Sequence, residues 1–104
     1  MIDSDLYRGL IRLHVLHHAS EHAVFGQWLI DELGHHGYRL SAGTLYPILH
    51  GLEEKGYLQS TIRSHEGRKR RLYRITPSGR KALTAAKGKV RELFGELFEE
   101  STRR

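Results

Sequence analysis

Apolar residues recur every three or four positions between residues 41 and 56, which is the clearest pattern in the chain. This spacing is typical of a helix with one buried face, and the residues that carry it are Leu45, Ile48, Leu49 and Leu52. The other side of the segment is polar and aromatic, with basic residues towards its ends. Such a surface suits contact with DNA, so the pattern predicts a recognition helix.

Pro47 and Gly56 mark the ends of this helix. Proline is tolerated only near a helix start, so the regular part is expected to begin around Thr44, with residues 41–43 as a cap or a loosened first turn. Lys55 places a cation near the negative end of the helix, and Gly56 suits a left-handed turn. The helix is therefore expected to end there.

A pair of strands follows the helix directly. Leu58, Ser60 and Ile62 alternate with the period of a strand. Residues 64–67 are expected to form the turn, and residues 70–75 the return strand. The hairpin occupies the place of the wing in a winged helix-turn-helix.

Two helices are predicted upstream of the recognition helix. The first is expected to run from about Ser4 to His18, because leucines step along it by three or four residues, and residues 19–23 are expected to connect it to the second. The second is expected to end near Gly34. Gly26 inside it would cost roughly 1 kcal/mol relative to alanine, which suggests that a neighbouring helix approaches closely there.

A fourth helix is predicted to start with Thr76 as its N-cap and Pro77 at its first position. Its apolar residues form a heptad seam, and the winged core upstream has elements enough to close itself. We therefore predict that this stripe pairs with a second copy across a twofold axis; folding back onto its own domain is the alternative. The predicted dimerisation residues are Leu6, Leu10, Leu83, Ala86, Val90, Leu93, Phe94 and Leu97.

These elements predict a mainly α fold with a small β-hairpin. The fold class is a winged helix-turn-helix in the order helix, helix, helix, strand, strand, helix. Residues 1–76 are predicted to be the DNA-binding domain and residues 77–104 the C-terminal dimerisation helix, as one continuous structural unit.

Composition narrows the class of protein. A chain of 104 residues is expected to form one small domain, whose limited core could gain stability from oligomerisation. The absence of cysteine excludes disulfides, thiolate zinc sites and iron–sulfur clusters. No apolar run approaches the roughly 20 residues of a membrane span, and no signal peptide is recognisable. A cytoplasmic protein without a membrane partner is predicted.

Positive charge is concentrated in the predicted hairpin. Lysine and arginine number 17 against 12 acidic residues, for a net charge of +5, which favours a polyanionic partner. The hairpin contains Arg63, Arg68, Lys69, Arg70, Arg71 and Arg74 but a single acidic residue, Glu66. Phosphate and minor-groove contacts are predicted for this wing; a solvated charged turn is the alternative.

The residues predicted to contact double-stranded DNA are Ser41, Thr44, Tyr46, His50, Arg63, Arg68, Lys69, Arg70 and Arg71. The helix residues would place hydroxyls, an aromatic edge and an imidazole in the major groove. For Tyr46 the alternative is a ring packed on the hairpin.

Four segments resemble PadR-type transcriptional regulators of the short subtype, which has a single long C-terminal helix. They are residues 43–47 (Gly-Thr-Leu-Tyr-Pro), 52–56 (Leu-Glu-Glu-Lys-Gly), 71–77 (Arg-Leu-Tyr-Arg-Ile-Thr-Pro) and 79–83 (Gly-Arg-Lys-Ala-Leu). The resemblance implies a homodimeric repressor that binds a pseudopalindromic operator and is released by a small apolar or aromatic effector or another stress signal. One departure lies at Ala23, where the family often has proline before an aromatic-glycine pair.

Eight histidines raise the hypothesis of a metal site. His14 and His18 lie one helical turn apart, as do His18 and His22 if the helix extends that far, and His35 and His36 add two more. Against a metal stand the predicted helix break, the lack of a carboxylate to complete a ligand set and the lack of cysteine. No metal or other cofactor is predicted to be required.

An enzymatic function is not indicated, because the chain has no glycine-rich phosphate loop, nucleophile motif or pair of catalytic carboxylates. The competing function is a protein-interaction module, a winged dimer that regulates a partner protein without binding DNA. The density of arginine on the wing argues against it.

Overall fold

The computed structural model describes residues 4–99, which form four helices and a three-stranded antiparallel sheet. In chain order the elements are α1 (Ser4–Glu21), β1 (Val24–Phe25), α2 (Gly26–His35), α3 (Ala42–Glu54), β2 (Leu58–His65), β3 (Arg68–Ile75) and α4 (Pro77–Phe98). The predicted order of three helices, a hairpin and a fourth helix is confirmed, and β1 is an addition to it. Within the described residues, no helix is long and apolar enough to cross a membrane.

Helix α1 continues to Glu21, so the predicted end at His18 is wrong, and the predicted connection over residues 19–23 is shortened to residues 22 and 23. The apolar stripe does not stop at His18. Val15 and Ala19 lie one turn apart and are both buried, with exposed fractions of 0% and 4%. Packing of this face stabilises the last turn of the helix.

Helix α3 begins at Ala42, two positions before the predicted start at Thr44. Ser41 is its N-cap: the Ser41 hydroxyl accepts a hydrogen bond from the Thr44 N–H at 3.2 Å, which satisfies a donor of the first turn. Pro47 therefore lies inside the helix. It offers no N–H to the carbonyl of Gly43, and because both positions are exposed, water can take its place.

The turn between β2 and β3 consists of two residues, Glu66 and Gly67, with φ angles of 54° and 78°. Two positive φ angles are typical of the type I′ turn, whose twist matches that of the flanking strands. The predicted turn over residues 64–67 is therefore wrong in its first half, because His65 pairs with Arg68 across the hairpin. The basic residues begin on a paired strand instead of a loop.

Strand β3 lies in the middle of the sheet, between β1 and β2. The short β1 pairs Val24 with Tyr73 and Phe25 with Leu72. A strand of two residues carries no alternating pattern, which is why the sequence did not predict it. Its effect is to fasten the start of α2 to the strand that carries the basic residues.

A single core joins all four helices to the sheet. It consists of Ile11, Val15, Leu16, Ala19, Val24, Leu29, Leu33, Leu45, Ile48, Leu49, Leu52, Leu58, Tyr73 and Leu83. The four apolar residues that predicted the recognition helix are all among them, so the predicted buried face of α3 is confirmed.

The junction between the hairpin and α4 is tightly packed around Gly79. The predicted N-cap is confirmed, because the Thr76 hydroxyl accepts a hydrogen bond from the Gly79 N–H at 2.9 Å. The Thr76 N–H in turn donates to the Tyr57 carbonyl at 3.0 Å. A Cβ atom at Gly79 would lie 2.2 Å from that carbonyl oxygen, so this position has no room for a side chain.

Substitution of Gly79 by alanine is expected to lower the free energy of unfolding by about 1–3 kcal/mol, because backbone must move to admit the methyl group. Gly51 is the matched control: it lies inside α3, and a Cβ atom there would meet nothing within 4 Å. Gly51→Ala is expected to raise the free energy of unfolding by about 0.5–1 kcal/mol. Chemical denaturation of both variants measures the difference, and equal effects would contradict it.

Candidate nucleic-acid interface

The polar face of α3 begins at its capped end. Ser41, Thr44 and His50 are exposed, as the sequence predicted for a face turned away from the core. The Ser41 hydroxyl donates to the Thr44 hydroxyl at 3.3 Å, so the two side chains hold each other in position. A preset pair of hydroxyls on an exposed helix face can donate to or accept from the edges of DNA bases.

Tyr46 is half-buried and packs on the first residue of α2. A Cβ atom at Gly26 would lie 2.2 Å from the Tyr46 hydroxyl oxygen, which shows how closely the phenol ring covers the glycine. The prediction that Gly26 marks a close approach of a neighbouring helix is thereby confirmed. The contact fixes the angle between α2 and α3 through one aromatic side chain.

Arg70 packs against β1. Its guanidinium carbon lies 5.9 Å from the centre of the Phe25 ring, and its Nε atom is buried without a hydrogen-bond partner among the described residues. The His65 ring lies 4.8 Å from the same Phe25 ring. The side chains of Arg70 and His65, two ionisable groups of the hairpin, therefore contact the same aromatic ring of β1.

Arg71 is tied to the recognition helix through a short chain of hydrogen bonds. Its Nη1 atom donates to the Ser60 hydroxyl at 3.2 Å, and the Ser60 hydroxyl donates to the Glu53 carboxylate at 2.8 Å. This Glu53–Ser60–Arg71 chain joins the last turn of α3 to both strands of the wing. Because charged groups terminate it, it holds the Arg71 side chain more firmly than a neutral hydrogen bond would.

A cleft of about 320 Å³ separates the wing from the start of α2 and from α3. We call it the wing cleft; it is lined by Phe25, Gly26, Gln27, Tyr46, Arg68, Lys69, Arg70 and Arg71. It brings Tyr46 together with four of the five basic residues of β3. Ser41, Thr44 and His50 lie outside it, and Arg63 lies on β2 opposite Arg70.

Several residues of this surface were not among those predicted. Gln27 is exposed beside the wing cleft, and Glu53 and Ser60 position Arg71. Gln27 could have been predicted from the neighbouring Gly26, because that glycine marks the place where α3 approaches α2. No spacing in the sequence could indicate the hydrogen bonds of Ser60, which join residues on three separate elements.

A second exposed surface runs along α4 and is apolar. We call Val90, Leu93, Phe94 and Leu97 the α4 stripe; their exposed fractions are 45%, 51%, 51% and 57%. Leu6 and Leu10 of α1 are also exposed, whereas Leu83 is buried in the core of the single chain and Ala86 is half-buried. Of the predicted dimerisation residues, Leu83 therefore packs in the core of its own chain.

The histidines of α1 meet the end of α2, which the sequence did not predict. His14, His18 and His36 place their ligand atoms within 4.8 Å of one another. The Glu32 carboxylate lies 3.1 Å from His36 Nε2 and 3.8 Å from His18 Nε2. No carboxylate that could complete a ligand set was apparent in the sequence; Glu32 lies beside the histidines because helix packing brings together groups that are remote in sequence.

The pKa values of these groups are shifted by their surroundings. Burial, together with the charges of neighbouring histidines, lowers the pKa of His14. Burial also lowers the pKa of His18, against the opposing effect of Glu32. Desolvation raises the pKa of Glu32, but the hydrogen bond with His36 and the nearby imidazoles outweigh it, and the net pKa is lowered.

Comparison with known proteins identifies the family. Residues 15–85 match the family described as Transcriptional regulator PadR-like family. The chain is 52% identical over 94 residues to Transcriptional regulator Rv3488 of Mycobacterium tuberculosis, which covers 90% of this chain and 88% of that protein.

Solved structures superpose over most of the chain. A PadR family transcriptional regulator from Eggerthella lenta superposes with a TM-score of 0.80 at 28% identity, over 96% of this chain and 88% of that one. A PadR-like transcriptional regulator from Bacillus cereus matches in fold with a TM-score of 0.85 at 24% identity, over 97% of this chain and 100% of that one. The motifs, the winged fold and the matched relatives agree, and the chain belongs to the PadR-like family of transcriptional regulators.

Proposed function

We propose that this regulator is a homodimeric repressor that binds a pseudopalindromic operator in double-stranded DNA. The observation that carries the proposal is the basic strand β3, which the Glu53–Ser60–Arg71 chain joins to the last turn of α3. Phosphate contacts by a fixed wing would position α3, and the exposed hydroxyls of α3 would then meet base edges. The protein acts by binding and performs no catalysis.

The two parts of the chain divide these tasks. Residues 1–76 supply the DNA-binding surface, and residues 77–104 supply the dimer contact. Leu83 of α4 packs in the core with residues of the other elements, which supports treating the two parts as one structural unit. A twofold axis through the α4 stripe would present two recognition helices to two halves of one operator.

Release from the operator follows a small apolar or aromatic effector or another stress signal. Support comes from a groove of about 550 Å³ between α1 and α4. It is lined by Leu10, Leu13, His14, His17, Leu83, Lys87, Val90, Arg91 and Phe94. An occupant of this groove would touch Val90 and Phe94 of the α4 stripe, change the proposed dimer contact and so alter the spacing of the two recognition helices.

A titration of duplex DNA tests the proposal. Fluorescence anisotropy is measured with the duplex upstream of the protein's own gene and with a scrambled duplex, between about 50 and 200 mM salt. We expect affinity for both duplexes to fall steeply with salt, and the upstream duplex to bind about 1,000-fold or more tightly than the scrambled one.

The two duplexes separate the competing functions. Salt-dependent binding of equal strength to both would place the operator elsewhere and leave DNA binding supported. Absence of binding to either duplex at the lowest salt would favour the protein-interaction module, in which the wing contacts a partner protein.

A further inference from the structure

His14, His18 and His36 form a cluster that the DNA-binding surface does not use. His14 and His18 lie one turn apart on α1, and His36 caps the end of α2. The centres of the His14 and His36 rings are 4.7 Å apart, and those of His18 and His36 are 5.7 Å apart. Two helices thus direct three imidazoles towards one point.

His18 has a buried ring nitrogen that makes no hydrogen bond within the described residues. The residue is 7% exposed, and its Nε2 atom has no hydrogen-bond partner within residues 4–99. A buried polar atom of this kind costs free energy unless a partner satisfies it. The Trp28 ring packs edge-on at 5.5 Å and keeps this side of His18 away from bulk water.

Glu32 places a negative charge beside the cluster. Its carboxylate approaches the Nε2 atoms of both His18 and His36, and His35 lies 3.7 Å from its other oxygen. A carboxylate next to converging imidazoles is the usual companion of a bound metal, either as a further ligand or as the group that orients a ligand.

We propose that His14, His18 and His36 bind a divalent transition-metal ion, with Glu32 beside them as a fourth ligand or orienting carboxylate. Imidazole ligands suit zinc, copper, nickel and cobalt. Zinc requires Zn–N distances of about 2.0–2.1 Å, so the three nitrogens, which lie within 4.8 Å of one another, must draw closer to bind it. His18 is buried, His14 is half-buried and His36 is exposed, so His14 and His36 are the side chains expected to rotate towards His18.

A second set of residues, His17, His18 and Glu21, shares His18 with the first. His17 and Glu21 are exposed, they lie on the same helix, and they already pair with each other at 3.5 Å. The set with His14 and His36 is favoured because it joins two helices and has the additional carboxylate. His17 therefore offers a matched control for His36.

Metal occupancy would couple two parts of the fold, and this part of the inference rests on the proposed function. His14 also lines the groove between α1 and α4, while His36 ends the helix that precedes α3. A metal would clamp α1 to the end of α2 and so change the orientation of α3 relative to α4. Operator affinity would then depend on the metal.

The site is tested with full-length protein purified without a histidine tag. Zinc is titrated by calorimetry, and cobalt is titrated while the fluorescence of Trp28, the single tryptophan of the chain, is followed. We expect one zinc per chain and quenching of Trp28 by cobalt. Glu32→Gln is expected to weaken zinc binding by about 10- to 100-fold, and His36→Gln by more than that.

His17→Gln should leave zinc affinity unchanged, with circular dichroism confirming that each variant is folded. The proposal is overturned if the wild-type chain binds no zinc, if His36→Gln binds zinc as well as the wild type does, or if His17→Gln weakens zinc binding as much as His36→Gln does.

Zinc should alter the operator affinity of the wild type and leave that of His36→Gln unaffected. An operator affinity that ignores zinc would remove the regulatory role alone, and failure to bind DNA at all would remove the proposed function while calorimetry still decides the site.

Discussion

Leu93→Glu is expected to separate a wild-type dimer into monomers. Leu93 lies in the middle of the α4 stripe and is 51% exposed in the single chain, so a partner is needed to cover it. Burial of a leucine contributes on the order of 1.5–3 kcal/mol, and a twofold interface contains the residue twice. A carboxylate at the same place adds the cost of desolvating a charge. We expect the dimer dissociation constant, measured by sedimentation equilibrium, to rise by at least about 100-fold.

Ile62→Glu is the matched control for this experiment. Ile62 is 52% exposed, but it lies on strand β2 of the wing, away from α4. The substitution Ile62→Glu introduces the same charge at an apolar position of nearly equal exposure, and it should leave the dimer intact. A wild-type chain that sediments as a monomer at micromolar concentration would contradict the proposed dimer, as would an unchanged dissociation constant in Leu93→Glu.

The wing and the recognition helix are expected to fail in different ways when they are changed. Phosphate contacts carry charge without sequence information, whereas base contacts carry sequence information. The double substitution Arg70→Ala and Arg71→Ala should weaken binding to operator and scrambled DNA alike. It should also flatten the slope of log affinity against log salt by about one unit per lost phosphate contact. Thr44→Val, which removes one hydroxyl, should leave the slope unchanged and reduce preference for the operator by roughly 1–3 kcal/mol.

Ser60→Ala tests whether the position of Arg71 matters apart from its charge. The substitution removes the hydroxyl between Arg71 and Glu53 and keeps every basic group. We expect weaker DNA binding with an unchanged salt slope, because a freed guanidinium must be ordered again on DNA.

If the variant with both Arg70→Ala and Arg71→Ala leaves both affinity and slope untouched, the wing does not contact DNA and the protein-interaction function gains support.

Local patterns explain why much of the fold could be predicted. The apolar spacing from Leu45 to Leu52 depends on residues three or four apart, which any helix brings to one face. Thr76 and Pro77 likewise mark a helix start through contacts within one turn. The errors lie where distant packing competes with local signals: Ala19 prolongs α1 because the core buries it. The short strand β1 exists because β3 lies beside it.

The sequence alone determined the order of the four helices and the hairpin, the basic wing and membership of the family, because each rests on residue types at short spacing. Only the tertiary structure decided which side chains meet. It joined Arg71 to Glu53 through Ser60, and it assigned Leu83 to the core while leaving Leu93 exposed. It also brought three histidines and a carboxylate together from α1 and α2. Such contacts depend on how helices and strands pack against one another, and no spacing along the chain encodes that packing directly.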